Sequence, residues 1–389
     1  MALTAETVFS TAAVPGLTRS DPHGPGITRE RAPGGFLYRD PSGAQITSEE
    51  SLLRIHALAI PPAWQDVWIS PDPLGHIQAT GVDSRGRTQY RYHPVWREQR
   101  DAQKFTHMLQ FAGALPVLRS AAVRDLGGRE LDRDRVSAAA VRLIDLGLFR
   151  IGGEKYAELD HHYGATTLRK SDVKVVRGGV AFDYIAKEGK RRTITVTDHG
   201  VSSTVRALIR SGSDLDPLFV FTDGGAWRPL HSHHVSNYIA TRAGGHYTAK
   251  EFRTWNATVL MALLLADADP APTARGRKSA ITAAVRGVAD WLGDTPTVAR
   301  SSYIDPRIIS RYSDGGLAAI PRLPAALPAD PEAEAAVAAL LAAEAAPTPV
   351  PPTAENQDQH RRFSERSRGF AATARAASRP GRGRPGRSS

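Results

Sequence analysis

The hydrophobic and polar positions change their period once along the chain. From Gly35 to Tyr92 the apolar runs are short, alternating or aromatic: Gly35-Phe36-Leu37-Tyr38, Asp66-Val67-Trp68-Ile69, Gly75-His76-Ile77-Gln78-Ala79-Thr80-Gly81 and Arg87-Thr88-Gln89-Tyr90-Arg91-Tyr92. Pro, Gly or Asp-Pro turns bound each run, and that pattern predicts β-strands. One helix, Ser48 to Ala59, interrupts them and stops at Pro61-Pro62. After about Gln103 the period lengthens. Val136, Ala139, Ala140, Leu143 and Ile144 follow Asp134 at helical spacing, which predicts a helix capped by Asp134. Val180–Ala186 and Arg192–Thr197 read as a hairpin turned at Lys187-Glu188-Gly189-Lys190. Thr248 and Glu251 form a capping box ahead of a helix with an apolar stripe of Phe252, Trp255, Val259 and Leu263. A further helix carries Ile281, Val285, Val288 and Leu292, and Thr295-Pro296 opens a short one.

These elements predict an α+β chain with four parts. Residues 1–27 lack a period and read as a flexible arm. Residues 28–103 form a small β-rich N-terminal domain, and 104–323 a mainly α-helical domain. Residues 324–389 are an Ala/Pro-rich segment, with a helix expected from Pro331 to Ala346, and then a tail expected to be disordered.

Charge changes the picture only at the C-terminus. The 389 residues carry a net +10, but nine Arg and one Glu between Gln359 and Ser389 supply +8 of it. The rest is nearly balanced, so bulk charge gives no nucleic-acid signal for the folded part. The tail reads either as a counterion-releasing anchor on nucleic acid or as an inert solvated end. With no cysteine, the chain has no thiolate metal site, Fe–S cluster or cysteine nucleophile. It shows no signal-peptide pattern, and its longest strongly apolar run, Val259 to Ala266, is too short to span a bilayer. The expectation is a soluble cytoplasmic protein.

Several apparent sites dissolve on inspection. His231, His233 and His234, like His161 and His162, lack an H-E-x-x-H frame and read as surface or hydrogen-bonding histidines. Gly178-Gly179 and Gly244-Gly245 lack the Lys-Ser/Thr of a P-loop, so no nucleotide-dependent motor is expected. What remains is a set of cations and one tyrosine at predicted element ends: Arg150, Lys187, Lys250, Arg253 and Tyr303. Each taken singly reads as an ordinary surface or packing residue.

Their order and local words resemble the type IB DNA topoisomerases, in particular the small bacterial, poxvirus-like branch. The words are Ile60-Pro61-Pro62-Ala63-Trp64, Gln78-Ala79-Thr80-Gly81, Gly86 to His93, Phe149-Arg150-Ile151-Gly152, Tyr163-Gly164-Ala165-Thr166-Thr167-Leu168, Phe252-Arg253-Thr254-Trp255, and Leu292-Gly293-Asp294 with Tyr303 nine residues beyond Asp294. The resemblance implies a catalytic domain of the topoisomerase IB and tyrosine recombinase type. It makes Tyr303 the nucleophile and Arg150, Lys187 and Arg253 its partners. It assigns DNA contacts to Gln89, Tyr90, Arg91, Tyr92, Lys250 and Arg169. It implies a monomer acting on double-stranded DNA at the nucleoid, with no metal, nucleotide or other cofactor. Lys250-x-x-Arg253 and the β-rich N-terminal domain favour a topoisomerase over a recombinase or integrase. The intact set of Arg150, Lys187, Arg253 and Tyr303 argues against a non-catalytic DNA-binding derivative.

One position departs from the family pattern. Asp294 stands where His or Asn is usual, and where the family's residue donates a hydrogen bond to the scissile phosphate. An ionised Asp can only accept, and its charge repels a phosphate. Three outcomes stay open: Asp294 donates as a protonated acid beside DNA, it turns away to pair with a cation such as Arg300, or the enzyme is simply slow. The expectation is a working but slower enzyme, with cleavage favoured at mildly acidic pH.

Overall fold

The computed structural model describes Val14 and residues 16–147, 149–154, 157, 161–211, 217–268, 272–322 and 330–343. Residues 1–13 of the expected arm and the whole basic tail lie outside the described residues. The chain divides into two compact units, with the boundary between Gln103 and Lys104.

The first unit is built on β1 (Ile27–Ala32), β2 (Gly35–Arg39), α1 (Glu49–Ala57), β3 (Gln65–Ile69), β4 (Ile77–Val82) and β5 (Thr88–Tyr92). The strands form one antiparallel sheet in the order β2-β1-β3-β4-β5. Its small core is Ile27, Tyr38, Ile55, Val67, Ile69 and Ala79. Alternate residues of the strands supply it, and Ile55 of α1 covers it, as period-two patterning requires. Strand β1 was not legible in Ile-Thr-Arg-Glu-Arg-Ala, because a strand with one large apolar residue has almost no period. It exists because it pairs with both β2 and β3, and because Arg29 donates to the carbonyls of Pro61 and Trp64.

Residues 16–26 are not the loose arm expected. The Thr18 N–H donates to the Leu74 carbonyl and the His76 N–H to that of Thr18. The Ser20 hydroxyl donates to the Ile77 carbonyl at 2.9 Å, and the Trp68 indole to that of Gly24 at 3.0 Å. These bonds reach more than forty residues along the chain, which is why no local pattern announced them. Gly26 lies against Trp68 so closely that a Cβ there would come within 2.0 Å of the indole nitrogen.

Helix α2 (Pro94–Leu126) starts before the unit boundary and runs through it. The second unit adds α3 (Arg133–Gly147), the antiparallel sheet β6 (Val173–Val176), β7 (Gly179–Ile185) and β8 (Arg191–Val196), and α4 (His199–Arg210). Then follow the hairpin β9 (Val220–Asp223) and β10 (Ala226–Pro229), α5 (Ser232–Ala243), α6 (Ala249–Asp267), α7 (Ala274–Leu292), α8 (Pro296–Ser302), α9 (Pro306–Ser313) and α10 (Pro331–Ala342). The cap of α3 is Asp132, whose carboxylate accepts the Arg135 N–H at 2.8 Å, not Asp134 as the pattern suggested. Asp134 sits in the first turn and pairs with Arg242 at 2.7 Å instead. The Thr248–Glu251 capping box of α6 is present. That helix is more than a striped one. Fourteen of its nineteen residues are buried, so it is the central rod of the unit.

The helix expected in the Ala/Pro-rich segment belongs to this second unit, beyond the boundary expected at residue 323. Ala333, Val337 and Leu341, four residues apart, bury one face of α10. Glu334 takes two bonds from Arg119, at 2.6 and 2.9 Å. Arg119 also grips Asp145 with two bonds of 2.8 Å, and Arg142 donates to the same carboxylate at 2.6 Å. Asp145 is 1% exposed, so it holds two guanidiniums away from water. Among the described residues, no helix is long and apolar enough to cross a membrane.

Removing one partner of a buried ion network leaves uncompensated charge, which costs about 3–5 kcal/mol. Asp145→Ala is therefore expected to lower unfolding stability by about that much in a urea titration. A loss under ~1 kcal/mol would mean that Arg119, Arg142 and Glu334 are held without Asp145.

Candidate active site

The site is organised by the C-terminal end of α7. The last carbonyls of a helix lack intrahelical donors and carry the negative end of its dipole, so they attract cations. Three residues from elsewhere supply them. Arg192 of β8 donates to the Trp291 and Leu292 carbonyls, each at 2.9 Å. Arg253 of α6 donates to the Leu292 carbonyl at 2.9 Å, and Lys190 to that of Gly293 at 3.4 Å. Gly293 ends the helix at φ +67°, and a Cβ there would lie 3.0 Å from the Arg192 guanidinium. Glycine is required on both counts.

The next residue is Asp294. Its N–H bonds back to the Ala289 carbonyl at 2.9 Å, which fixes its backbone on the helix end. Its carboxylate bridges two arginines: Oδ1 accepts from Arg150 Nη2 and Oδ2 from Arg253 Nη2, both at 2.6 Å. These are short, charge-assisted bonds. The cation partners of Asp294 are thus not Arg300, which is exposed, but Arg150 and Arg253, the two arginines that the resemblance makes partners of Tyr303.

Arg150 is placed by two of the sequence words acting as one unit. The Ala165 N–H donates to the Arg150 carbonyl and the Thr166 N–H to that of Ile151, both at 2.8 Å. A Cβ on Gly164 would come within 2.6 Å of the Arg150 carbonyl oxygen, so only glycine allows this approach. On the other side Phe149 is fully buried, stacked on Tyr184 at 5.4 Å and edge-on to Phe182 at 5.2 Å. The Arg150 guanidinium therefore projects from an anchored strap, with its side chain 25% exposed.

Lys187 stands exposed in the turn between β7 and β8. Two bonds tie this turn to the strap. The Tyr163 N–H donates to the Ile185 carbonyl at 2.9 Å, and the Gly189 N–H donates to His162 Nε2 at 3.0 Å. Lys187 and Arg150 line one shallow recess, together with Tyr163, Tyr184, Arg192 and Gly293. Burial pushes the Tyr184 phenol up to about 12 despite the neighbouring Arg192, Arg253 and Arg150. Burial lowers Arg192 from its ordinary value, against the pull of Tyr184. Both stay in their usual charge states at neutral pH.

Tyr303 is reached from Asp294 by one turn of chain and one short helix. The Thr295 hydroxyl caps α8, Pro296 takes its first position, and Tyr303 ends it. Thr258 of α6 donates to the Tyr303 carbonyl at 3.2 Å. The guanidinium carbon of Arg253 lies 5.2 Å from the Tyr303 ring centroid, a cation–π distance. The nine-residue spacing between Asp294 and Tyr303 is this turn and helix, and Arg253 touches both ends of it.

The structure thus joins Arg150, Arg253, Asp294 and Tyr303 through direct contacts, and Lys187 through the recess. Of the expected DNA-contact residues in the first unit, two lie on each face of β5. Tyr90 and Tyr92 stack on each other at 5.9 Å, as alternate residues of edge strand β5 must. Gln89 and Arg91 point to the opposite face. Gln89 donates to Asp83 at 3.0 Å, and Arg91 donates to the Ala59 carbonyl at 2.9 Å and lies over Trp64. Arg169 covers the Tyr163 ring at 5.0 Å, and Lys250 is exposed on the first turn of α6. His231 and His234 do hydrogen-bond, His231 to Glu154 at 3.0 Å. Arg192, Lys190 and Tyr184 escaped the sequence reading as site residues, whereas His162 hydrogen-bonds as expected. Alternation in the hairpin could have marked Arg192 and Tyr184 as facing one side, but nothing local says which helix end receives them.

Comparison with known proteins shows the family. The family model for the catalytic core of eukaryotic DNA topoisomerase I matches residues 93–315, and that for the N-terminal domain of bacterial DNA topoisomerase IB matches residues 35–83. The chain is 29% identical over 295 residues to DNA topoisomerase 1B of Acanthamoeba polyphaga mimivirus, covering 74% of this chain and 88% of the relative. The core match takes in Arg150, Lys187, Arg253, Asp294 and Tyr303, and with it the chain belongs to the type IB DNA topoisomerases, isomerases that act on DNA.

Proposed function

We propose that this chain relaxes supercoiled duplex DNA without ATP or a metal ion, by cutting one strand, letting it turn and resealing it. The observation that carries the reading is the convergence of Arg150 and Arg253 on a single oxoanion at 2.6 Å each, with Arg253 also over the Tyr303 ring. Two guanidiniums in that arrangement suit the non-bridging oxygens of a phosphodiester, whose pentacoordinate transition state concentrates negative charge there.

The Tyr303 phenol oxygen attacks the phosphorus as its own proton leaves to water. The P–O5′ bond breaks, and Lys187 gives a proton to the departing 5′-oxygen. A 3′-phosphotyrosyl bond forms in place of the phosphodiester. One ester replaces another, so the bond energy is kept, and the reverse attack by the 5′-hydroxyl needs no other energy source. While the 5′ end is free, the duplex swivels. Tyr90 and Tyr92, Arg169 and Lys250 are the residues offered to backbone and groove. Gln89 and Arg91, already tied within the first unit, reach a base edge only by giving up those bonds. The protein works as a monomer on nucleoid DNA in this reading.

Plasmid relaxation is expected to proceed in EDTA and without ATP. Loss of relaxation in EDTA, restored only by a divalent ion, would overturn the metal-free reading.

Two phenols adjoin the arginines, and they are separable. Tyr303→Phe is expected to abolish the covalent adduct on a suicide duplex while keeping duplex affinity. Tyr184→Phe is expected to keep the adduct, because that phenol is held protonated by burial. An adduct with the Tyr303 variant and none with the Tyr184 variant would reassign the nucleophile.

Deleting Gln359 to Ser389 is expected to leave cleavage chemistry intact and flatten the salt dependence of plasmid binding, by up to ~0.9 in log–log slope per lost Arg–phosphate contact. An unchanged salt profile would make the tail inert.

A further inference from the structure

The proposal concerns Asp294 and rests on the phosphodiester reading given above. The two arginine positions that a phosphate needs are filled by a carboxylate of the chain itself. Asp294 Oδ1 and Oδ2 take one 2.6 Å bond from each guanidinium, as two non-bridging oxygens of a phosphate would. The carboxylate is nearly sealed, with its side chain 6% exposed, and Arg253 is 5% exposed beside it. Of this pair only Arg150, 25% exposed, lines the recess, together with Lys187 and Arg192. A phosphate arriving there meets Arg150, but not Arg253. It gains the second arginine only when the carboxylate moves.

We propose that Asp294 is an internal stand-in for the scissile phosphate, which occludes the arginine pair until a DNA phosphate displaces it. Three features fit displacement rather than permanent residence. First, the backbone of Asp294 is fixed by its bond to Ala289, so a side-chain rotation alone empties the site. Second, Lys190 donates to the carbonyl of Gly293, the residue before Asp294, at 3.4 Å, so a further cation lies beside this turn of chain. Third, phosphate and carboxylate cannot both sit between the guanidiniums, because like charges at that distance repel strongly in a poorly hydrated site. The benefit to the free protein is also plain. Arg150, Arg192 and Arg253 crowd one helix end, and a carboxylate among them offsets their repulsion when no DNA is bound. The cost falls on engagement: only a phosphate held by enough surrounding duplex contacts displaces the stand-in. Isolated anions do not.

The test compares wild type with Asp294→Ala and Asp294→Asn in two measurements. Ala empties the site without adding a donor, whereas Asn adds one. The first measurement is the affinity of the DNA-free protein for inorganic phosphate, by calorimetry on the full chain. Both variants are expected to bind phosphate at least about tenfold more tightly than wild type, the factor that about 1.4 kcal/mol of lost competition gives. The second is single-turnover cleavage of a suicide duplex at saturating protein. Both variants are expected to exceed wild type, Asn more than Ala. Thermal unfolding of each variant identifies any that fail to fold, and folded Asn alone suffices for the phosphate measurement. If neither folded variant gains phosphate affinity, the occlusion proposal is overturned. If Asn accelerates cleavage but Ala slows it, Asp294 lacks only a donor and does not occlude, which overturns it equally. If no protein forms an adduct while both variants bind phosphate more tightly, occlusion stands and the strand-cutting reading falls instead.

Discussion

The active site hangs on the unsatisfied carbonyls at the end of α7. A helix terminus attracts cations wherever it is, but here it is served by three segments far apart in sequence. The β7–β8 turn brings Lys190, β8 brings Arg192 and α6 brings Arg253 to Trp291, Leu292 and Gly293. The same turn of chain then presents Asp294 to Arg150 and Arg253 and leads through α8 to Tyr303. Without that terminus, no local reason would bring the hairpin, the Arg150 strap and the tyrosine together.

The electrostatic balance at this end is close. Two unit charges about 4 Å apart interact by about 4 kcal/mol at an effective dielectric of 20. Three guanidiniums near one another therefore oppose a domain whose whole stability is about 5–15 kcal/mol. The helix carbonyls and the Asp294 carboxylate offset that repulsion in the free protein. The carboxylate that does so is shared between Arg150 and Arg253, with one 2.6 Å bond from each. The chemistry of the departure at Asp294 follows: it is an acceptor placed where the family pattern supplies a donor.

The scaffold that makes this possible is the buried helix α6. Its inward residues include Trp255, Phe252 and Leu263, and it also carries Arg253 into the site and holds Tyr303 through Thr258. Helix α10 closes the far end of the unit through Val337, Leu341 and Glu334, clamped by the Arg119–Asp145 network. Aromatic packing of Phe149 on Tyr184 joins the strap to the hairpin, so the two cation-bearing loops share one small hydrophobic hinge. The cation-bearing side chains thus stand on anchored elements, and the exposed turn that carries Lys187 is tied to the strap through Tyr163 and His162.

By itself, the sequence determined whatever depends on neighbours along the chain. Capping pairs such as Thr248 and Glu251, the proline opening α8, the hairpin around Lys187 and the α+β division all follow from local propensity and period. The ordered words around Arg150, Arg253 and Tyr303 identified the family, because each word is a run of neighbouring residues that is legible without its tertiary partners. Tertiary structure alone decided the rest. Strand β1 has no period to read and exists through its pairing. Residues 16–26 are held by partners more than forty residues away. The mates of Asp294 lie 144 and 41 residues off, and Arg300, its neighbour in sequence, is not among them. Hydrogen bonds and ion pairs go to whichever groups the packed chain brings within about 3 Å, and that proximity is set by the burial of α6 and the end of α7, which no window of sequence contains.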